Sequence, residues 1–218
     1  RSGCAGRREI LLHLNPDAYC ALGITVSVGN AILSAARLDG SELFAENAEL
    51  PPSAPAEATF EALCGRLMQL AREHHIPTEK ILGVGVALRG ITDVSNRVWR
   101  SSYGAIDREN YPLAEQVRAL TGKPVVMSNN VRALFAAQMF LARDAMTSSQ
   151  FFLRCEYGIG AALSLEDQIW IGNSGRYSEI GHIPFVRRGG KPCTCGKCGC
   201  LETIASPASI REDALALF

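Results

Sequence analysis

Residues 179–202 read EIGHIPFVRRGGKPCTCGKCGCLE, and the histidine, the four cysteines and the two bracketing glutamates of this stretch govern how the rest of the chain is read. Five side chains here can ligate a metal: His182, Cys193, Cys195, Cys198 and Cys200. A structural zinc ion takes four tetrahedral donors, usually thiolate and imidazole, so one of the five is surplus. A pair of disulfides is the rival reading. Cysteines this close in sequence seldom reach disulfide geometry with each other, and nothing else in the chain points to an oxidising compartment. A structural Zn2+ is the expectation.

Composition narrows the classes. A chain of 218 residues, 47% hydrophobic and 20% charged, suits a compact protein with room for two lobes. Lysine plus arginine equals aspartate plus glutamate at 22 each, so no electrostatic excess advertises DNA, RNA or an acidic membrane as a direct partner. No apolar run approaches the roughly 20 residues that span a bilayer, and RSGCAGRREILLHLN lacks the apolar core of a signal peptide, so a cytoplasmic location is expected. Cys4, Cys20, Cys64 and Cys155 lie apart from the cluster, and three of them sit among apolar neighbours as buried free thiols do.

Outward from the cluster the pattern is α/β. The runs CALGITVSV, AILSAARL and LFAENAEL are separated by Gly29-Asn30 and Asp39-Gly40, which predicts three antiparallel strands. PPSAPAEA reads as a loop, and Phe60, Leu63, Cys64, Leu67, Met68 and Ala71 mark one face of a helix ending before Pro77. ILGVGVAL reads as a buried strand, residues 113–120 as a helix stopped by Gly122, KPVVMS as a strand, and VRALFAAQMFLA as a largely buried helix. FFLRC, GAALSL and QIWI then begin a second meander, followed by the cysteine loop and helix starts near Leu201 and Pro207.

A three-strand meander followed by helix and strand, begun twice, looks like the duplicated ribonuclease H-like fold of actin and sugar kinases, whose lobes close on a ligand between them. The boundaries expected are a connector over 1–18, an N-terminal lobe over 19–130 and a C-terminal lobe over 131–218 that carries the zinc loop. By analogy with the first lobe, the second would need roughly another 80 to 100 residues, so it is expected to be incomplete at the C-terminus. An unfinished core and open strand edges favour association, and a homodimer or higher homo-oligomer is expected.

The spacing of His182, ten residues, Cys193, one residue, Cys195, four residues, Cys200, then Leu201 and Glu202 resembles the signature of the ROK family, which joins bacterial sugar kinases and sugar-responsive transcriptional regulators. The resemblance implies His182, Cys193, Cys195 and Cys200 as the metal ligands, with Cys198 the spare. It also implies a sugar pocket, with Glu179, His182 and Glu202 at positions that contact the sugar, Asn129 at the family's amide position and Asn130 able to hydrogen-bond a hydroxyl. The segment GRREILLHLNPDAYCALGI resembles the connector that, in the family's regulators, follows an upstream winged helix-turn-helix. DNA would be reached only through that module, which is not in this sequence.

Measured against the family's kinases, three segments depart. The first hairpin of those kinases reads roughly Asp-x-Gly-Gly-Thr, whereas Thr25 to Gly29 here reads TVSVG. Their catalytic base is the Asp of an Asn-Asp pair; here the pair is Asn129-Asn130, and a neutral amide cannot accept the proton. Their second phosphate loop is approximately Gly-Thr-Gly-Ile-Gly, against Glu156-Tyr157-Gly158-Ile159-Gly160 here. The resemblance therefore implies the effector-sensing part of a regulator, binding a sugar or sugar derivative, and not an efficient enzyme. An active hexose or amino-sugar kinase is the alternative. Arg89, where a proline is common in the family, and Tyr103, Asp107 and Asn110 in a loop near the sugar also depart from its pattern.

Overall fold

A computed structural model describes residues 12–50, 55–103, 108–142, 148–172, 176–177 and 179–217. Strands β1 (Cys20–Ser27), β2 (Asn30–Arg37) and β3 (Glu42–Glu49) form the antiparallel meander. Ser27 pairs with Asn30, so Val28 and Gly29 alone make the first turn, and Gly29 takes the left-handed φ of 72° that such a tight turn needs. Along β1 the residues Cys20, Leu22, Ile24 and Val26 are buried, the period of two expected of a strand covered on one face.

Helix α1 (Ala56–Glu73) supplies that cover, burying Phe60, Leu63, Cys64, Leu67, Leu70 and Ala71. It starts inside the stretch read as loop: Pro55, with its fixed φ of −57°, precedes the first helical residue and accepts the Thr59 N–H at 3.0 Å. The loop residues 51–54 lie outside the described residues. Strand β4 (Ile81–Leu88) then pairs parallel to β1, and β7 (Val125–Asn129) parallel to β4, giving the order β3-β2-β1-β4-β7. Between them come the short pair β5 (Ile91–Asp93) and β6 (Val98–Ser101), and α2 (Leu113–Thr121), which ends on Gly122 at φ 67°. Trp99 and Tyr111 flank Phe60 at ring-centroid distances of 6.1 Å, which closes the first core.

Helix α3 (Asn130–Leu141) leads to a second sheet of order β10-β9-β8, formed by β8 (Gln150–Cys155), β9 (Ile159–Leu165) and β10 (Gln168–Ile169). The strand read from QIWI is thus two residues long, although the Trp170 N–H still reaches the Leu163 carbonyl at 2.9 Å. The expectation that α3 is largely buried fails. Only Val131, Arg132 and Phe135 are buried, while Leu134, Phe140 and Leu141 are 45%, 49% and 64% exposed. Its apolar residues wrap most of the way round the helix, but the described structure packs a single face, through the stack of Phe135 on Phe152 at 5.4 Å. Helices α4 (Glu202–Ala205) and α5 (Pro207–Leu215) follow the cysteine loop, with Ser206 capping α5 by accepting the Ser209 N–H at 3.1 Å. No helix among the described residues is long and apolar enough to cross a membrane.

The scattered thiols divide. Cys20 and Cys64 are buried, and burial pushes the Cys64 thiol up to about 12. Cys155 is exposed, because it ends β8 on the face away from α3, and Cys4 lies outside the described residues. Since the thiolate is the reactive form, native-state alkylation followed by mass spectrometry is expected to modify Cys155 at least about tenfold faster than Cys64, and equal rates would contradict this packing.

Candidate functional site

The site grows from the junction of β7 and α3. Asn129 ends the strand and caps the helix, its side-chain oxygen accepting the Val131 and Arg132 N–H groups at 2.9 and 3.3 Å. Its amide nitrogen donates to the Gly90 carbonyl at 3.0 Å and lies 3.5 Å from Glu179 Oε1. Gly90 follows β4 at φ 90°, where a Cβ would strike the Ser101 backbone, so only glycine fits this turn. Asn130 lines the same cavity, and its side-chain oxygen accepts the Val131 N–H at 3.0 Å.

A short 3-10 turn, Ile180–His182, brings Glu179 and His182 to the opposite wall. His182 is 7% exposed, its Nε2 lies 3.7 Å from Glu179 Oε2 and its Nδ1 3.9 Å from Glu202 Oε1. Tyr103 packs edge-on against the His182 ring at 4.5 Å and its hydroxyl donates to Glu179. Burial raises the Glu179 carboxyl above its ordinary value, opposed by that hydrogen bond and by the positive charge of Arg132. Glu202, the first residue of α4, accepts the Ile159 N–H at 3.2 Å and rests against Gly158, where any side chain would collide with its carboxylate.

Beside this wall the cysteine loop closes. Cys193 Sγ lies 3.3 Å from His182 Nδ1 and Cys195 Sγ 3.6 Å from Cys200 Sγ, and the ligating atoms of all four residues fall within 4.8 Å of one another. Residues Pro184 and Cys200 form a bridge, as do Pro192 and Cys198, folding the loop so tightly that Gly199, at φ 72°, abuts the Val186 carbonyl. Cys198 is exposed and outside the cluster, while Cys200 is buried; burial and the neighbouring thiols push the Cys200 thiol up to about 12. A cation entering the cluster therefore displaces protons. The four residues could hold a metal ion.

The cavity between the walls measures about 470 Å³ and holds all five expected ligand-binding residues, Asn129, Asn130, Glu179, His182 and Glu202, on its lining. Sequence reasoning did not assign Arg154, whose guanidinium pairs with Glu156 at 2.5 Å, or the buried Arg132, which donates to Thr92 Oγ1 at 2.6 Å. Neither has a local sequence signal: Arg154 lies in an alternating strand and Arg132 in an apolar helix. Arg89, noted as a departure, reaches Glu202 at 3.8 Å. Tyr103 is in the site, Asn110 is exposed and bonded to Arg100, and Asp107 lies outside the described residues.

With two β-meanders, a parallel extension of the first and a polar cleft between sheets, the fold is of the actin-like ribonuclease H type. The chain belongs to the ROK family, whose profile matches residues 23–216. It is 27% identical over 219 residues to the DNA-binding transcriptional dual regulator NagC of Escherichia coli K12, covering 100% of this chain and 53% of NagC. The crystal structure of a ROK family transcriptional regulator, a homologue of the E. coli Mlc protein, superposes with a TM-score of 0.79 at 22% identity, covering 93% of this chain and 50% of that one. A ROK family glucokinase from Streptomyces griseus, solved with glucose and AMPPNP, gives 0.78 at 22% identity, covering 90% and 62%. At such identities the structural likeness shows the fold. The chain spans about half the length of NagC.

Replacing Cys195 with serine removes one of four candidate donors, so the metal content measured by mass spectrometry is expected to fall well below that of the parent protein, whereas Cys198→Ser retains it. Equal metal content in the two variants would refute the ligand set.

Proposed function

We propose that this chain is the effector-sensing part of a ROK-type transcriptional regulator, that it takes a sugar or sugar derivative in the cleft, and that it has no efficient kinase activity. The observation that carries this reading is the convergence of Glu179, His182, Glu202 and the two asparagines on one cavity whose base position is the amide of Asn130. Sugar hydroxyls need directed donors and acceptors, which these side chains offer. The phosphate side of the cleft supports it too. The loop that would wrap phosphate carries the Arg154–Glu156 pair, and Tyr157 stands 87% exposed at its turn. The first hairpin offers Ser27 and Val28 to the cavity in place of an acid and paired glycines.

The metal in this reading is a structural zinc. A tetrahedral ion with bonds of about 2.3 Å to sulfur and 2.0–2.1 Å to nitrogen separates its ligands by about 3.5–3.8 Å. Two of the cluster's separations, 3.3 and 3.6 Å, lie near that range with all donors within 4.8 Å of one another, and a donor set of three thiols and one imidazole suits that ion. When bound, it would supply no reaction step; it would fix the His182 ring and the loop that presents Glu202. On the same reading residues 19–130 make one lobe, 131–218 part of the second, and 1–18 the connector to an upstream helix-turn-helix through which DNA is bound. The protein works in the cytoplasm as a homodimer or higher homo-oligomer, and ligand-driven closure of the lobes is passed to the DNA-binding module.

The alternative, a sugar kinase, is favoured by the likeness to the glucokinase fold. Two measurements separate the readings. Calorimetric titration with a hexose and amino-sugar panel is expected to show binding by the parent protein and a loss of about 10- to 100-fold in Glu179→Ala, the effect of losing a hydrogen bond to a charged group. ATP-dependent phosphorylation of any panel sugar at an ordinary kinase rate would overturn the regulator reading.

A further inference from the structure

Two arginines, Arg89 and Arg154, and three glutamates, Glu156, Glu179 and Glu202, line the cavity, the buried Arg132 offsets Glu179 from behind the wall, and one residue sets the charge at Glu202. Arg89 sits at the end of β4, and its guanidinium Nη2 lies 3.8 Å from Glu202 Oε1, with side chains 23% and 14% exposed. Its backbone cannot drift. The Trp99 indole N–H donates to the Arg89 carbonyl at 2.9 Å, and Trp99 is itself 1% exposed in the first core. The next carbonyl, that of Gly90, is held by Asn129 at 3.0 Å. The partner is equally fixed, since Glu202 accepts the Ile159 N–H at 3.2 Å and lies against Gly158. At the far end of the cavity Arg154 is matched by Glu156 at 2.5 Å. Each arginine of the lining thus has a carboxylate against it, and Glu179 is met by Tyr103 and Asn129.

We propose that Arg89 is a specificity-determining residue: by pairing with Glu202 across the cleft it sets the cavity to take an uncharged ligand and to reject cationic and phosphorylated forms of the same sugar. A ligand ammonium near Glu202 meets a carboxylate already neutralised, with the guanidinium repelling it. A phosphate finds Arg89 and Arg154 each already paired with a carboxylate that repels the anion. Neither charged form recovers what desolvation costs it, whereas an uncharged hydroxyl can share the outer lone pairs and N–H groups of the pairs without breaking them. This inference rests on the sugar-pocket reading above and sharpens it to a charge class.

The test is calorimetry on the full chain produced in zinc-supplemented medium. The probes are glucose, mannose and galactose, each beside its 6-phosphate and its 2-amino-2-deoxy counterpart, at a pH where the amine is protonated. The parent protein is expected to bind at least one neutral sugar about tenfold or more tighter than either charged counterpart. In Arg89→Met the affinity for the amino sugar relative to the neutral one is expected to rise about tenfold or more, because Glu202 is left without its cation, and Arg89→Lys is expected to keep the parent's order. Arg89→Gln serves as a second neutral variant should the methionine variant not fold, with circular dichroism and zinc content as the check. A parent protein that prefers a 6-phosphate or an amino sugar overturns the proposal. So does a neutral variant in which all ligands weaken by one common factor, which is what a purely structural arginine would give. If the parent binds no sugar in the panel, the pocket reading itself fails and this inference with it, an outcome distinct from the other two.

Discussion

Asn129 is where the architecture is tied together. Its oxygen ends the first sheet and starts α3 by accepting two N–H groups, while its nitrogen holds the Gly90 turn at the end of β4 and faces Glu179 from the opposite wall. A buried amide that leaves any of these partners unmatched would cost about 1–3 kcal/mol, so the position of α3, the turn that carries Arg89 and the distance between the walls are set jointly. The residue is only 4% exposed, and its hydrogen-bonding capacity is largely taken up by protein. Its part in the cleft is therefore as much to hold the other groups as to offer itself to a ligand.

The cysteine loop plays the complementary role on the second wall. His182 is shared: one ring nitrogen faces Cys193 and the other Glu179, so whatever fixes the cluster also fixes the polar face of the cavity. Lys197 donates to the His182 carbonyl at 2.7 Å, and Lys191 pairs with Asp213 of α5, which fastens the loop to the helix beyond it. Through Glu202 the same loop reaches Ile159 and Arg89. The two walls thus meet in a small set of polar contacts while the apolar cores remain separate, one around Phe60 and Trp99 and a smaller one around Phe135. Polar contacts of this kind exchange more readily for ligand groups than packed apolar surface does, which would suit the lobe closure proposed above.

Local chemistry made much of this legible beforehand. The glycine turns at Gly29 and Gly40, the apolar period of α1 and the stop at Gly122 each depend on residues within a few positions of one another, and each element formed near where its pattern placed it, with α1 beginning at Ala56, inside the stretch read as loop. The candidate donors were legible for the same reason, because the cysteines lie in one short loop close after His182. α3 was misjudged because an apolar sequence states what a helix could bury and not how many neighbours pack against it; Leu134, Phe140 and Leu141 stay exposed.

The sequence by itself determined the order of the elements and a short loop with five candidate metal donors, both of which follow from short-range spacing and side-chain chemistry, while the choice of four donors and the positions expected to meet a ligand are what the resemblance to the ROK family implies. Only the tertiary structure decided which distant side chains face each other: Arg89 against Glu202 and Tyr103 on His182. Arg89 and Glu202 lie far apart along the chain, and their approach depends on parallel pairing of β4 with β1 and β7 in one sheet and on the folding of the cysteine loop against β9 in the other. Pairing energies that fall off within a few ångströms cannot be read from a sequence until the sheets that set those distances are in place.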